Sequence, residues 1–277
     1  MKNRTWLITG ISSGLGKALA ESVMSSGDFV IGTFRQQSQV DEFNYKYVKN
    51  GYAILLDITN EESIEESVKN AMSKFNRIDV LVNNAGIGFV GAVEETSMEE
   101  VRKVFEANFF GTLKLTQTVL PFMRKEKSGH IVQISSHGGI KAFAGFGIYN
   151  ASKFALEGFS EALAQEVSSL HIKVSIVEPG PFRTKFAGSS LGLAKNVIDD
   201  YLGTAGAFRT KLKGVDGKQE GDPVKASKAI INLVNSDNPT LRLPLGKVAL
   251  ITIGMKLDSV KSDLETNRKT AENVVYK

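Results

Sequence analysis

The chain contains no cysteine, which removes disulfides, thiolate nucleophiles and thiolate-held metals together. Histidine is nearly as scarce, with three in 277 residues, so a histidine metal cluster has little to draw on. A hydrolase is disfavoured as well: His137 has no acid nearby to complete a serine triad, and no G-x-S-x-G elbow occurs. No apolar run approaches the roughly 18 residues that a membrane-crossing helix needs. The opening Met1-Lys2-Asn3-Arg4 leads into Thr5-Trp6-Leu7-Ile8-Thr9-Gly10, which is too short for a signal sequence and suits a buried strand. Blocks of like charge are missing, and the net charge of +4 is spread along the chain. That describes a soluble surface and lacks the basic stripe and reading element of a nucleic-acid binder. With no targeting segment, the expected location is cytoplasmic.

What is present is a core with a rhythm. Hydrophobic residues make up 42% of the chain, enough for one large α/β domain over residues 1–277. Strands are expected at Trp6–Thr9, Phe29–Phe34, Ala53–Leu56, Val80–Val82, Ile131–Ile134 and Val174–Val177. Helical patterns fall between them at Gly16–Ser25, Val40–Val48, Glu61–Phe75, Met98–Met123 (ending near Pro121) and Tyr149–Leu170. This alternation predicts a single-domain, Rossmann-like, doubly wound parallel sheet with helices on both faces. In such a sheet, ligands lie beyond the carboxyl ends of the strands. After Thr184 the pattern loosens. Residues 185–221 are rich in glycine and charge and are expected to form a mobile substrate segment. A helix over Pro223–Val234, a last strand over Leu241–Leu245 and a polar helical tail over 256–277 complete the expectation.

The first strand runs into Thr9-Gly10-Ile11-Ser12-Ser13-Gly14-Leu15-Gly16. Glycines at 10, 14 and 16 allow a tight turn and let backbone approach a pyrophosphate, while the following helix offers unpaired N–H groups. An ordinary glycine-rich turn with a serine cap would read the same way. The second strand ends in Thr33-Phe34-Arg35, with no carboxylate to bond a ribose 2′-hydroxyl. Arg35 instead suits a 2′-phosphate, which favours NADP over NAD.

Tyr149-Asn150-Ala151-Ser152-Lys153 opens a helix, so phenol and ammonium share a face. A neighbouring ammonium favours phenolate and brings the phenol toward the range useful for proton transfer. By itself the pair is a common surface pattern. Its context is Ser135 and Ser136 at the end of the fifth strand, where a hydroxyl can bond a reacting oxygen.

Taken in order over residues 5–185, these motifs resemble the short-chain dehydrogenase/reductase family, in its common single-domain branch. The resemblance rests on T-G-x-x-x-G-x-G at Thr9–Gly16, Asp57, Asn83-Asn84-Ala85-Gly86, Asn108, Ser136, Tyr149 with Lys153, and Pro179-Gly180 with Thr184. It implies Tyr149 as general acid or base, and Lys153 as the group tuning it and holding the nicotinamide ribose. It further implies Ser136, chosen over Ser135 by its spacing to Tyr149, as the orienter of substrate oxygen, and Asn108 as holder of a relay water. For the cofactor it implies Gly10, Ser12, Ser13, Gly14, Leu15 and Gly16 at the phosphates, and Arg35 at the 2′-phosphate. Asp57 and Ile58 would lie at the adenine, Asn83, Ala85 and Gly86 along the cofactor, and Pro179, Gly180, Phe182 and Thr184 at the nicotinamide amide. No metal is expected.

The implied activity is NADP(H)-dependent hydride exchange with a carbonyl or secondary alcohol. A sensor or regulatory protein binding NADP(H) on the same fold is the alternative. The substrate would be a small molecule bounded by the loop after Ser136 and the segment after Thr184, regions that Phe143, Phe146, Phe182, Phe186 and Leu191 make partly apolar, though core packing accounts for these residues equally well. The V-D-G-G segment of tetrameric members is absent, and Leu241-Arg242-Leu243-Pro244-Leu245-Gly246 stands in its place. A homodimer through the Met98–Met123 and Tyr149–Leu170 helices remains open, as does packing of their apolar stripes on the sheet alone.

Overall fold

A computed structural model describes residues 3–188 and 191–276; Ser189 and Ser190, within the segment expected to be mobile, lie outside the described residues. The main sheet contains β1 (Thr5–Ile8), β2 (Phe29–Phe34), β3 (Gly51–Leu55), β4 (Val80–Asn83), β6 (Gly129–Ile134), β7 (Ile172–Pro179) and β9 (Arg242–Leu245). Every pairing is parallel, in the order β3-β2-β1-β4-β6-β7-β9. The chain winds outward from β1 to β3, returns to β4 beside β1, and winds out the other way. The expected doubly wound sheet is therefore the architecture found. Its crossover point lies between β1 and β4, where such sheets open a crevice.

Both faces of the sheet are buried, which is why its strands read as nearly continuous apolar runs. Trp6, Ile8, Val30, Val82 and Val132 face α1 (Gly14–Ser25), α2 (Gln37–Lys46) and α8 (Pro223–Asn235). Leu7, Ile31, Leu81 and Ile131 face α3 (Glu61–Phe75), α5 (Gly111–Glu126) and α6 (Gly147–Val167). Each fully buried leucine, isoleucine or valine in these layers contributes about 1.5–3 kcal/mol. Polar chemistry is thereby pushed out of the sheet and into the loops at its ends.

Four details differ from the sequence expectation. The helix expected over Met98–Met123 is α4 (Met98–Phe105), a π turn (Glu106–Phe110) and then α5. Pro121 does not end it, and α5 runs to Glu126. Leu115, Val119 and Met123 pack into the core beneath it, and that burial outweighs the one backbone bond the proline removes. A second, small parallel ladder joins β5 (Gly88–Val90) to β8 (Leu191–Leu193); it is three residues long and glycine-containing, too short to show a period. The tail helix, α9, starts at Lys247 and runs to Glu272, with Ala249 its only buried residue. Pro244 lies in β9, on the outer edge of the sheet. Among the described residues no helix is long and apolar enough to cross a membrane.

His130, in β6, lies within 3.0 Å of the Ser175 hydroxyl, and burial with nearby Lys173 and Arg4 pulls its imidazole down to about 4. The unfolded chain takes up that proton near pH 6.5, so His130 favours the fold above pH 6.5 and loses this contribution as pH falls toward 4. The buried carboxyl of Glu178, held up at about 7, pulls the other way. The difference between wild type and His130→Gln isolates the histidine. The stability gap between them should narrow by about 2 kcal/mol between pH 7 and pH 5 in urea titrations. A gap independent of pH would disprove the assignment.

Candidate active site

The site begins with the Thr9 hydroxyl. It accepts hydrogen bonds from the amides of Asn84 and Ala85, both at 2.9 Å, which ties the end of β1 to the end of β4. Asn84 returns the link by donating from Nδ2 to the carbonyls of Thr9 (2.8 Å) and Gly10 (3.2 Å). The loop then turns through Gly10 at φ 68° and Gly14 at φ 61°, where a side chain would be strained. Gly16 is required for a different reason. A Cβ there would stand 2.3 Å from Asn84 Nδ2 and 2.6 Å from the Gly10 carbonyl.

This loop delivers the first turn of α1 with its N–H groups unclaimed. Ser13 at the N-cap makes no side-chain capping bond, and no acidic residue occupies the first turn. Asn60 caps α3, Ser97 caps α4 and Asp222 caps α8, whereas α2, α6 and α9 share with α1 the lack of a side-chain cap. An uncapped N-terminus behind a glycine turn suits a pyrophosphate. Ser12 is exposed, while Ser13, Gly14 and Leu15 are half-buried. Arg35 emerges exposed at the end of β2, and among the described residues no carboxylate pairs with it. After β3, the Asp57 carboxylate accepts from the amide and hydroxyl of Thr59 (3.0 and 2.8 Å). The Ile58 side chain is buried, and its carbonyl presses on Gly111, where a Cβ would come within 1.9 Å.

The proton-bearing residues converge one loop further along. Asn108 lies in the π turn, a widened helical turn of the kind that recurs at functional sites. Its Oδ1 accepts from the Ile87 amide (2.8 Å), and its Nδ2 donates to the Ile87 carbonyl (3.0 Å) and to Ser152 Oγ (3.0 Å). Gly86 sits between Asn108 and Lys153: a Cβ on it would lie 3.0 Å from Asn108 Oδ1 and 3.8 Å from Lys153 Nζ. Lys153 donates to the Ile134 carbonyl at 2.8 Å. Ser136 Oγ accepts from the Gly138 amide at 3.0 Å and lies beside the Tyr149 ring.

Asn108, Ser136, Tyr149 and Lys153 are all buried, and burial sets the charge state of the two that titrate. It pushes the Tyr149 phenol up to about 12, against the pull of Ser136, and draws the Lys153 ammonium down to about 8. The phenol therefore carries its proton at neutral pH. Lys153 turns its ammonium to a backbone carbonyl, and desolvation outweighs the phenolate-favouring influence expected from the i, i+4 spacing.

An aromatic cover explains the burial. Phe146 stacks on Tyr149 with centroids 4.4 Å apart, and Phe186 tilts against it at 5.6 Å. Phe143 and Phe208 stack behind them, and Leu191 and Leu212 pack on the same cluster. The segment supplying Leu191 and Phe208 is held down by acidic residues beside β5. Glu95 accepts from the amides of Ala92 (2.8 Å) and Ile198 (3.0 Å) and pairs with Arg209 at 3.1 Å. Those bonds keep its carboxyl below the ordinary range despite burial. Tyr201 donates to Glu94 at 2.6 Å. A cleft of about 260 Å³ opens beside this cover, lined by Ala187, Gly188, Leu191, Leu193, Lys213 and Asp216.

Two sequence candidates lie elsewhere. The Asn83 side chain points into the body and donates to Thr116 and Gln133, both at 2.9 Å. Phe182 packs into the core on the α1/α8 face, with its ring over Gly221, away from the aromatic cover. Pro179 and Gly180 follow β7, with the Gly180 amide bonded to the Leu245 carbonyl at 2.9 Å, and Thr184 faces Gly14 across the crevice. Sequence reasoning did not single out Thr9 and Asn84 as the latch of the phosphate loop, although both stand inside quoted motifs. Phe208 and Glu95 had no local signal, since only tertiary packing brings them here. Among the described residues no group of three or more histidine, aspartate or glutamate side chains is arranged to hold a metal ion.

Comparison with known proteins agrees with this geometry. The sequence profile of the short chain dehydrogenase family matches residues 4–191. The chain is 37% identical to oxidoreductase BOA17 of Botryotinia fuckeliana over 96% of its own length and 97% of the relative. It is 39% identical to the 3-ketodihydrosphingosine reductase of Bacteroides thetaiotaomicron, covering 91% of each. A solved short-chain dehydrogenase from Streptomyces avermitilis superimposes with a TM-score of 0.94 at 41% identity, covering 99% of this chain and 100% of that one. Some matched structures carry NAD and others NADP.

The Thr9 latch is testable apart from turnover. Thr9→Val keeps the shape and orphans two amides, so the unfolding free energy should drop by about 2 kcal/mol. Dinucleotide affinity, followed by NADPH fluorescence, should fall roughly tenfold as the loop loses its anchor. Unchanged affinity in a well-folded variant would remove the latch from the binding site.

Proposed function

The chain belongs to the short-chain dehydrogenase family and is an oxidoreductase of that family, and from this premise we propose that it exchanges hydride between NADP(H) and a carbonyl or secondary alcohol, with Tyr149 handling the proton. The observation that carries the proposal is the meeting, at the carboxyl ends of β1, β4 and β6, of an uncapped helix N-terminus with the Ser136–Tyr149–Lys153 group. When bound, the reduced cofactor supplies the hydride received by the carbonyl carbon.

The protein's own part is orientation and proton transfer. Ser136 donates to the substrate oxygen and keeps it beside the phenol. Tyr149, still protonated at neutral pH, donates to that oxygen as negative charge develops there. In the reverse direction the phenolate takes the alcohol proton, and a cationic Lys153 favours that anion. Asn108 bridges the β4 exit to Ser152 in the turn between Tyr149 and Lys153, and so supports the relay. Asp57, Ile58, Ala85 and Gly86 line the adenine and ribose side, and Pro179, Gly180 and Thr184 the nicotinamide side. Arg35, exposed and, among the described residues, unpaired with acid, favours the 2′-phosphate of NADP.

The aromatic cover over Tyr149 favours an apolar ketone or alcohol, and the similarity to a 3-ketodihydrosphingosine reductase supports a ketone. Entry of such a substrate requires Phe186 and Leu191 to move off the phenol, a lid motion hinged on the contacts of Glu94 and Glu95.

Two measurements test the proposal. Against a panel of aldehydes and ketones followed at the NADPH absorbance, Tyr149→Phe should lose at least ~100-fold in turnover while still binding cofactor. A wild type that binds NADPH and reduces nothing on the panel would favour the sensor function. Arg35→Ala should weaken NADPH binding more than NADH binding, and equal losses would overturn the NADP assignment.

A further inference from the structure

Four side chains recur at i, i+4 along one face of α6: Tyr149, Lys153, Glu157 and Glu161. The first two belong to the proton chemistry. Glu157 is buried one turn behind them, in a cluster to which no role has so far been given. Arg242 of β9 brings Nη2 within 3.2 Å of Glu157 Oε2 and Nε within 2.9 Å of Glu178 Oε1 on β7. The same guanidinium pairs with Glu161 at the solvent edge. From the end of β6, the Ser135 hydroxyl sits against the Glu157 carboxyl. The backbone closes the remaining side: a Cβ on Gly139 would stand 2.6 Å from Ser135 Oγ and 3.0 Å from Glu157 Oε1.

Two buried carboxyls around one guanidinium do not both ionise cheaply. Glu178 is 0% exposed, and burial together with the charge of Glu157 pushes it up to about 7. Glu157 is also raised by burial, but Ser135, Arg242 and Lys153 all favour its anion. Of the two carboxyls, Glu157 is the one on the helix face of Lys153 and the one whose anion Arg242 and Lys153 both favour. Lys153 itself donates to a neutral carbonyl, and Glu157 is the anion that opposes its desolvation.

Resting on the oxidoreductase function above, we propose that Glu157 is a positioning residue for the proton chemistry: its carboxylate, held by Arg242 from β9 one helical turn behind Lys153, keeps Lys153 cationic. Arg242, which stands where tetrameric members carry their V-D-G-G segment, is then the outer support of the catalytic lysine.

The direct test is the titration of Lys153 Nζ in the full-length protein by 15N-lysine NMR, its signal assigned from its absence in Lys153→Met. Glu157→Gln should lower the midpoint by about one pH unit. Ser135→Ala, a milder change that should fold even if Glu157→Gln does not, should lower it in the same direction by less. Glu157→Asp, which keeps the charge, should restore it. The activity arm measures alcohol oxidation against pH: its rising limb should move to higher pH in Glu157→Gln, with cofactor affinity unchanged. A loss of thermal stability with an unmoved Lys153 midpoint would make the cluster structural only and overturn the inference. Because the NMR titration needs no turnover, a wild type without activity would sink the oxidoreductase proposal and leave the effect on Lys153 to be judged separately.

Discussion

One hydroxyl and one side-chain amide hold the two halves of the sheet to a common edge. Thr9 receives the amides that follow β4, and Asn84 reaches back to the carbonyls that follow β1. The sheet changes winding direction between these two strands, and this junction continues their backbone ladder past the last paired residues, Ile8 and Val82. Gly16 can lie against Asn84 because it carries no Cβ, which lets the first turn of α1 pack directly on the junction. The free first turn of α1, the placement of Gly86 against Asn108 and Lys153, and hence the approach of phosphate loop to phenol all follow from this junction.

Burial on both faces of the sheet has a second effect, on charge. The site retains Tyr149, Lys153, Glu157 and Glu178 in surroundings too dry for all of them to ionise. Desolvation pushes acids up and bases down, so the four are driven toward neutrality, and only mutual contacts restore charge where it is useful. Along α6 this runs in sequence: a phenol that keeps its proton, a lysine drawn down to about 8, and Glu157 raised by burial but favoured as an anion by Arg242. The electrostatic surroundings of Tyr149 and Lys153 thus include the whole helix face, with β7 and β9 as its backing.

Much of this was legible before any coordinates. Six of the strands appear as short apolar runs because both sheet faces are covered, and the helices between them carry their apolar residues at helical spacing. Most candidates from Gly10 to Thr184 fall at strand ends because strand–helix alternation puts loops there, while Asn108, Tyr149 and Lys153 lie on helices beside them. What escaped notice had no local period. The β5–β8 ladder is three residues long and pairs segments about a hundred positions apart. The π turn at Asn108 interrupts a helix without any glycine or proline inside it. Asn83 and Asn84 are adjacent and chemically identical, yet the pleat turns one into the body and the other toward Thr9, a distinction made by strand direction. Glu178 sits among apolar neighbours in β7, and only Arg242, far along the chain, gives its burial a reason.

The seventh strand also determines where the sheet stops. A parallel sheet ends in a rail of open backbone groups that would accept a further strand from another molecule. On β9 that rail is interrupted by Pro244, which has no N–H to offer, and the chain leaves at once through Gly246, at φ 93°, into α9. The strand that brings Arg242 to the acid pair is thus also a poor template for another chain, and this edge of the enzyme is protected from the strand addition by which β-proteins begin to aggregate.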